Sequence, residues 1–527
     1  MKQFMTKYAG KIKGVLSGFD RLVFRGTLRS LCYVGGLEAY LGHVSVLLKD
    51  FGRHVEEVSS QVKAAALSWA NESGRPVEYL ASSRVSKEEA ARAIAQRDGI
   101  LEGPVCALTC VEPCTTFDVF RDREKKRLRL VVRVRKCLFV YHYFIHPVVG
   151  WGYVRLQTWF PFHVQVGLNG RTWLGRQMDA AGLGYVQSDN CFPWVADFPR
   201  AQALLDEQLT VNWPDLLNGF ADQIFPVRES VFARHRVSYY WSVFQSEWAT
   251  DVVFREPETL RVLYPRWVHH GLTNLHSVDT MRFLGRTVSI QNGRVPVRFA
   301  GEVVNDVKRR EEGVRLKHRM DKNSIKLYDK AYTSRGSVVR IETTLNDASP
   351  FRVFRAKEGA PEQQKTWQTL RAGVADLARR AQVSQAANAR FLGALAQVED
   401  GAALGHLLDR VQRPVIRNHR RTRALHPFES PDADLLSAFS HGKFLINGFR
   451  NHDLQALLFS DAPRDAAQAR RRSAQVSRAL IRLRAHGLVK KVPHEYRYHL
   501  TASGRTLAAA VLAAKAASVS ALVGKAA

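Results

Sequence analysis

Acidic residues are scarce in this chain. Asp and Glu number 49 against 78 Lys and Arg in 527 residues, a formal net charge of +29 at pH 7. The surplus is spread along the whole length rather than gathered in a tail. A polyanion partner explains it better than solubility does, and such binding weakens steeply with salt. Long apolar runs are also missing: nothing approaches the roughly 20 apolar residues of a membrane span. The opening MKQFMTKYAGKIKG has no apolar middle of the secretory kind. These two absences predict a cytoplasmic protein with no membrane partner. Only six cysteines occur (Cys32, Cys106, Cys110, Cys114, Cys137, Cys191), irregularly spaced and unlike a disulfide framework. Cys110 and Cys114 with His142 and His146 have zinc-like spacing. Both pairs lie in strand-like runs, where alternation buries such residues as ordinary core, and that reading is preferred. No glycine loop suited to a phosphate stands out, since Gly167-Leu168-Asn169-Gly170 reads as a hairpin turn. Internal repeats and low-complexity tracts are absent.

What is present is enough apolar residue, 46%, to give three or four domains proper cores. Gly14 to Leu28 is strand-like, and helical patterns follow to about Trp69. Ser86 with Glu89 forms a capping box for a helix ending before Gly99. From Val105 to Leu174 the runs VCALTCV, RLRLVVRVR, KCLFVYHYFIH, WGYVRLQTWF and FHVQVGLNG predict an antiparallel meander. Helices are expected from about Leu174 to Phe225, with Trp194 and Trp213 as core anchors. Two strands are expected at Ser324 to Lys330 and Ser337 to Leu345, then a helix pair over Glu362 to Val398. Arg413 to Arg423 has the composition of a basic linker. The fold class expected is α+β and multi-domain: an α/β segment at 1–104, a β-rich α+β body at 105–355, a helical connector with basic linker at 356–425, a winged helix-turn-helix at 426–515 and a helical tail at 516–527.

The winged helix-turn-helix rests on order and spacing. A short helix at Asp434 to Phe439 precedes a break at Asn447 and Gly448, and a second helix runs from Asn451 to Phe459. A long one follows from about Ala466 to Ala485, with Val476, Leu480 and Leu483 on its core side. Gly487 supplies a C-cap. Two strands, Leu488 to Val492 and Tyr496 to Thr501, then meet across Pro493-His494-Glu495. Arg470, Arg471, Arg472, Arg478, Arg482, Lys490, Lys491 and Arg497 are the expected phosphate contacts, with Arg471, Arg478 and Arg482 near one face. Ser473, Gln475 and Ser477 would approach base edges. The segment resembles the winged-helix domains of MarR-type bacterial regulators, notably in RALIRLRAHGLVKKV and YRYHLTASGR, and the resemblance implies duplex DNA as partner.

Three features of the body bear on chemistry. Tyr328-Asp329-Lys330 followed by Arg340-Ile341-Glu342 is similar to a pattern in replication initiators of rolling-circle plasmids and filamentous phages. That likeness implies a tyrosine nucleophile at Tyr328, supported by Lys330 and Glu342. It departs from those families in having no second tyrosine at the usual distance and in having Phe283 where Phe283-Leu284-Gly285-Arg286 would carry one. The segment WFPFHVQV resembles the His-hydrophobic-Gln variant of the HUH endonuclease motif. Its alternation puts His163 and Gln165 on one strand face, where they would hold Mg²⁺ or Mn²⁺ together with a carboxylate such as Asp20. Finally, Glu247 and Asp251, one helical turn apart, share a face, and clustered acids in so basic a chain are candidate metal ligands.

Two functional readings follow. One is a DNA-processing enzyme of a mobile element or replicon, initiator-like or transposase-like, in which Tyr328 or a metal-activated water attacks a phosphate. The other is a DNA- or RNA-binding protein without a catalytic step, whose aromatic-rich meander stacks bases. A ligand-sensing transcriptional regulator ranks third.

Overall fold

The structure is a computed structural model. It describes residues 1–275, 277–285, 303–310, 313–330, 337–357, 361, 363–396, 404–417, 420–444, 448–492 and 495–518. The architecture is mixed α+β, as expected from the alternation of strand-like and helical patterns. Two compact units emerge, and neither is a single stretch of chain. The larger comprises Lys13–Phe254 and Lys330–Gln385; the smaller comprises Met1–Ile12, Arg255–Asp329 and Ala386–Ala527.

Numbered along the chain, the strands used below begin with β1 (Ile12–Leu28), β2 (Val77–Leu80), β3 (Gly103–Asp122), β4 (Arg127–His146), β5 (Gly150–Gln157) and β6 (Val164–Asn169). They continue with β7 (Tyr185–Ser188), β8 (Cys191–Val195), β9 (Tyr239–Phe254), β10 (Val303–Arg310), β11 (Gly313–Met320), β12 (Asn323–Asp329) and β13 (Val338–Leu345).

In the larger unit the main sheet runs β13-β9-β1-β6-β5-β4-β3-β2. The meander from β3 to β6 is antiparallel throughout, and β6 then lies antiparallel to β1. All eight residues of β13 are buried. A strand covered on both faces reads as a continuous apolar run, so the polar residues it does contain, Arg340 and Glu342, are there against the hydrophobic trend. β1 is packed as tightly. Side chains at Gly14 and Gly18 would place a Cβ 2.1 Å from the Phe198 ring and 2.5 Å from Leu205. Glycine there lets the helix Phe198–Asp206 lie directly on the strand. The helix Phe51–Glu72 adds Val55, Val58, Val62 and Ala66 to the same core, a stripe at helical spacing.

Several expectations are corrected here. RLRLVVRVR and KCLFVYHYFIH form one continuous strand, β4, because no turn residue separates them. The stretch expected to be helical from Leu174 contains the β7–β8 hairpin, whose two-residue turn Asp189-Asn190 is a recognisable hairpin signal. Trp213 is buried as expected, but Trp194 on β8 is 40% exposed. Gly167 to Gly170 is not a hairpin turn: β6 ends at Asn169, which caps the helix Gly170–Ala180. The helix pair expected over 362–398 is a strand, Thr366–Thr369, paired with Arg352–Arg355, followed by one helix, Leu377–Leu395; Glu362 and residues 397–398 lie outside the described residues. The basic linker contains two three-residue strands, Val415–Arg417 and Arg420–Thr422.

In the smaller unit β10, β11 and β12 form an antiparallel ladder. Trp267, fully buried, packs against Phe4 in a tilted contact and Tyr8 edge-on, with ring centroids 5.4 and 5.7 Å away. Toward the carboxyl end come three helices, Asp432–Ser440, Asn451–Leu458 and Ala466–Ala485. A small hairpin of Val489–Lys491 with Tyr498–Leu500 follows, then a helix at Ala502–Ala516. Val476, Leu480 and Leu483 all face the core with Leu435, Phe439 and Leu454. Gly487 takes φ +72°, as a left-handed cap requires. Asn447, Pro493, His494 and nearly all of the expected tail at 516–527 lie outside the described residues.

Candidate metal centre and basic helix

Three neighbouring strands of the larger unit each bring one carboxylate to a common point. Asp20 comes from β1, Glu247 from β9 and Glu342 from β13, and one oxygen from each lies within 4.8 Å of the other two. Asp20 and Glu342 are each 5% exposed, and Glu247 is half-buried. Asp251 is four residues beyond Glu247 on β9. Four is an even number, so both project from one face of the strand. The shared face was expected from a helical turn; the element is a strand, and pleating delivers the same result. Glu247 accepts long contacts of 3.5 Å from Gln245 Nε2 and Thr344 Oγ1.

The cations are set by local structure. Asn169 accepts hydrogen bonds from the backbone amides of Arg171 and Thr172, which starts the helix there. Arg171 in that first turn is fully buried. Its Nη2 lies 3.0 Å from Asp251 and donates to the carbonyl of Ala249 at 3.2 Å. Its Nε is 3.7 Å from Asp20, and Nε and Nη1 complete no hydrogen bond. Arg340 faces Asp251 in the β13–β9 register. It donates to both Asp251 oxygens, at 2.6 and 2.8 Å, and to Asp20 at 3.0 Å. The β7–β8 turn supplies Asn190, whose amide donates to Asp20 at 3.1 Å while its carbonyl oxygen accepts from Lys330 Nζ at 2.7 Å. Asp189, at φ +51°, completes that turn and lies 3.3 Å from Lys330.

Four carboxylates therefore stand against Arg171, Arg340 and Lys330. Burial raises the pKa of Asp20 above the ordinary carboxylate range; Arg340 and Arg171 pull against this, and Glu342 and Asp251 add to it. Burial opposes ionisation of Asp251 too, but Arg171 and Arg340 outweigh it and hold that carboxyl below the usual range. Arg340, despite its own burial, is held well above its ordinary value by Asp20 and Asp251. Asp251 is thus held as an anion by its two arginines, whereas the balance at Asp20 makes it harder to ionise than an ordinary carboxyl. Asp20 and Glu247 open onto a cleft of about 390 Å³ whose other walls include Arg21, Arg92, Trp151, Tyr153 and Asn190.

Of the residues expected to act together, Asp20 and Glu342 meet. His163 and Gln165 do not join them. In the β1–β6 register Arg25 faces Gln165 and Arg21 faces Asn169, so Gln165 lies about 17 Å along the strand from the level of Asp20. His163 is largely buried beside Arg25; burial first, then the nearby guanidinium, lowers its pKa to about 4. A carboxylate is what it would need as metal partner, and its neighbour is a cation. Lys330 reaches the site through Asn190. Tyr328 belongs to the smaller unit, where its hydroxyl accepts from Arg315 at 3.3 Å. The zinc alternative is also answered. His142 Nε2 bonds the Ala66 carbonyl at 2.6 Å and its ring stacks on Trp69 at 4.1 Å, and among the described residues the one potential metal-holding group is the carboxylate set. Arg171 and Asn190 were not anticipated. An Asn-Gly at a strand end and an Asp-Asn between short apolar runs were the signals that mark them.

On the helix Ala466–Ala485 the cations divide. Arg470, Arg471 and Arg478 are exposed, as are Gln475, Lys490 and Lys491. Arg472 is turned inward, pairing with Asp461 at 2.8 Å over the Phe459 ring. Arg482 lies 3.5 Å from the buried Asp432. The expected single face of Arg471, Arg478 and Arg482 is corrected accordingly: 482 falls on the flank of the helix that meets Asp432–Ser440. At 100° per residue, Arg472 stands only about 40° from Val476, which explains its inward course. Arg497 pairs with Glu495 at 3.1 Å. Ser473 and Ser477 are engaged by Asn451, through the Ser473 carbonyl at 2.9 Å and the Ser477 hydroxyl at 2.8 Å.

Comparison of the chain with protein-family models, curated proteins and solved structures gave no match.

Proposed function

We propose that this protein is a nucleic-acid-processing enzyme in which Asp20, Glu247 and Glu342 hold Mg²⁺ or Mn²⁺ for phosphodiester cleavage. The observation that carries the reading is the convergence of those three carboxylates, with Asp20 and Glu247 lining a cleft, in a chain with 29 surplus positive charges. The donor set suits a hard cation. Metal–oxygen distances near 2.1 Å put octahedral ligands about 3 to 4.2 Å apart, inside the 4.8 Å within which these oxygens lie of one another. Burial first, and then the neighbouring Glu342 and Asp251 carboxylates, raise the pKa of Asp20, and a bound cation would offset the repulsion among these carboxylates. An ion held by Asp20, Glu247 and Glu342 would supply activation of a water, whose oxygen would attack phosphorus as the bond to the leaving oxygen broke and a proton passed to that oxygen. A water nucleophile is preferred to Tyr328 because the donors are all carboxylates and the His163–Gln165 pair lies away from them.

The carboxyl-terminal helices and hairpin are read as a winged helix-turn-helix that binds DNA. The order of elements and the exposed Arg471, Gln475 and Arg478 support this. The test is cleavage of labelled single- and double-stranded oligonucleotides with Mn²⁺, using wild type, Asp20→Asn, Glu342→Gln and Tyr328→Phe. Loss of cleavage in the first two, with activity kept and no covalent adduct in the third, is expected. Cleavage that survives Asp20→Asn and Glu342→Gln in a folded protein would refute the assignment. A second reading, binding without catalysis, predicts affinity for nucleic acid with no product in any of these reactions.

A further inference from the structure

The meander contains a segment that the carboxylate site does not use. β5 pairs with β4 only from Phe139 onward, and β2 pairs with β3 only at Ala107–Cys110. From residue 111 to residue 138 β3 and β4 therefore form a two-stranded ribbon, about 40 Å long at 3.4 Å per residue. Residues 117–136 hold nine Lys and Arg against three Asp and Glu. The register places Arg127, Arg129, Arg133 and Arg135 on one face, opposite Asp122, Phe120, Thr116 and Cys114. Successive arginines along β4 that differ by two positions are about 6.8 Å apart. Asp118 takes up Arg135 and approaches Arg133 at 4.0 Å, so one carboxylate answers two guanidiniums. The turn adds Arg123, Lys125 and Lys126, all exposed. On the opposite face Phe117 and Leu130 are buried in the core, which anchors the ribbon, while Val132 and Val134 remain 53% and 69% exposed.

We propose that this ribbon is a docking surface for duplex DNA, engaging the major groove and its flanking phosphates. A two-stranded ribbon matches the width of the B-form major groove, whereas the A-form groove of duplex RNA is too narrow to admit it. A single strand is a poorer fit, because stacking needs several free aromatic faces and the basic face has one aromatic, Phe120, which is 38% exposed and has the Arg129 guanidinium over its ring at 5.0 Å. Pairing with a second copy through the open edge of β4 is opposed by the row of cations along it. The inference rests on the nucleic-acid half of the proposed function and is independent of the carboxylates.

The experiment measures affinity of the full-length protein for a 20-base-pair duplex in EDTA, across a salt series. The variants are Lys125→Ala/Arg127→Ala/Arg129→Ala, none of which pairs with Asp118, and the charge-preserving Lys125→Arg/Arg127→Lys/Arg129→Lys. With three phosphates no longer neutralised, the slope of log affinity against log salt should fall by about 2.7, at about 0.9 per phosphate. The charge-preserving variant should keep the wild-type slope, and duplex RNA should show a smaller change. An alanine variant with wild-type slope, while the protein still binds duplex DNA, overturns the ribbon assignment and leaves the proposed function standing. So does an equal change on duplex RNA, or a ribbon-dependent dimer seen by sizing. A wild-type protein that binds no nucleic acid overturns both. The exposed turn pair Lys125→Glu/Lys126→Glu serves as a second variant should the triple change disturb folding.

Discussion

Removing the Arg340 side chain tests the central ionic network most directly. Arg340 is fully buried and makes three charged hydrogen bonds, two to Asp251 and one to Asp20. Arg340→Met keeps much of the volume but leaves Asp251 with Arg171 alone and Asp20 with Arg171 and Asn190. Deleting one partner of a buried pair costs about 3 to 5 kcal/mol, most of it the penalty of stranding the other charge. The larger unit has about 300 residues. At about 2.1 cal/mol/K per residue, that loss lowers Tm by about 5 to 8 °C. The same reasoning predicts non-additivity. Asp251→Asn alone leaves Arg340 with Asp20 and the Asn190 carbonyl, but combined with Arg340→Met it removes both charges of the pair, so the double variant should be about 1 to 3 kcal/mol more stable than the sum of the singles. Thermal and urea unfolding in EDTA give all four corners of the cycle. An additive cycle, or a cost below about 1 kcal/mol for Arg340→Met, would show that the network is not the buried, mutually dependent unit described here.

Other expectations follow from the same geometry. Mn²⁺ affinity should rise with pH through the elevated pKa of Asp20 and level off above it, because the carboxyl must shed its proton to ligate; calorimetry in buffers of different ionisation enthalpy should register that proton, and pH-independent affinity would contradict it. Asp251, with a folded pKa below its unfolded one, contributes stability that is present above about pH 4 and lost as pH falls through the folded value; urea melts should therefore show wild type and Asp251→Asn converging in acid and parted at neutrality. In the carboxyl-terminal helix, Arg471→Ala and Arg478→Ala should each reduce the salt slope of DNA binding by about 0.9, whereas Arg482→Ala should lower stability instead, since it leaves buried Asp432 with Arg423 alone. Gly18→Val should cost about 1 to 3 kcal/mol in thermal unfolding by forcing Leu205 and its helix off β1; a neutral outcome would mean the helix can move.

Much of this architecture can be read from the letters, and the failures have physical causes. The antiparallel meander, β1 and the Val476–Leu480–Leu483 stripe announce themselves through local periodicity. Asp20, Glu247, Asp251 and Glu342 stand out because acids are rare in a basic chain and rarer in apolar strands. That they meet is not local information: it depends on which strands are neighbours, and 210 residues lie between β1 and β9 and a further 83 between β9 and β13. His163 and Gln165 satisfy a short motif and do share a strand face, yet register places them beside Arg25 instead of beside a carboxylate. Arg171 and Asn190 escape attention because each works from a turn or cap, and polar residues at such positions ordinarily serve the backbone alone.

The interleaving of the two units has a consequence for biosynthesis. The larger unit has all of its chain once Gln385 has been made, while the smaller one needs residues from before Lys13 and from after Gln385. On a ribosome releasing the chain from its amino end, the carboxylate-bearing sheet can close before the smaller unit, whose opening dozen residues meet Trp267 part-way through synthesis but gain Ala386–Ala527 only at the end. Arrest of translation soon after Gln385 should therefore yield a nascent chain whose sheet resists protease while the segments of the smaller unit are cut.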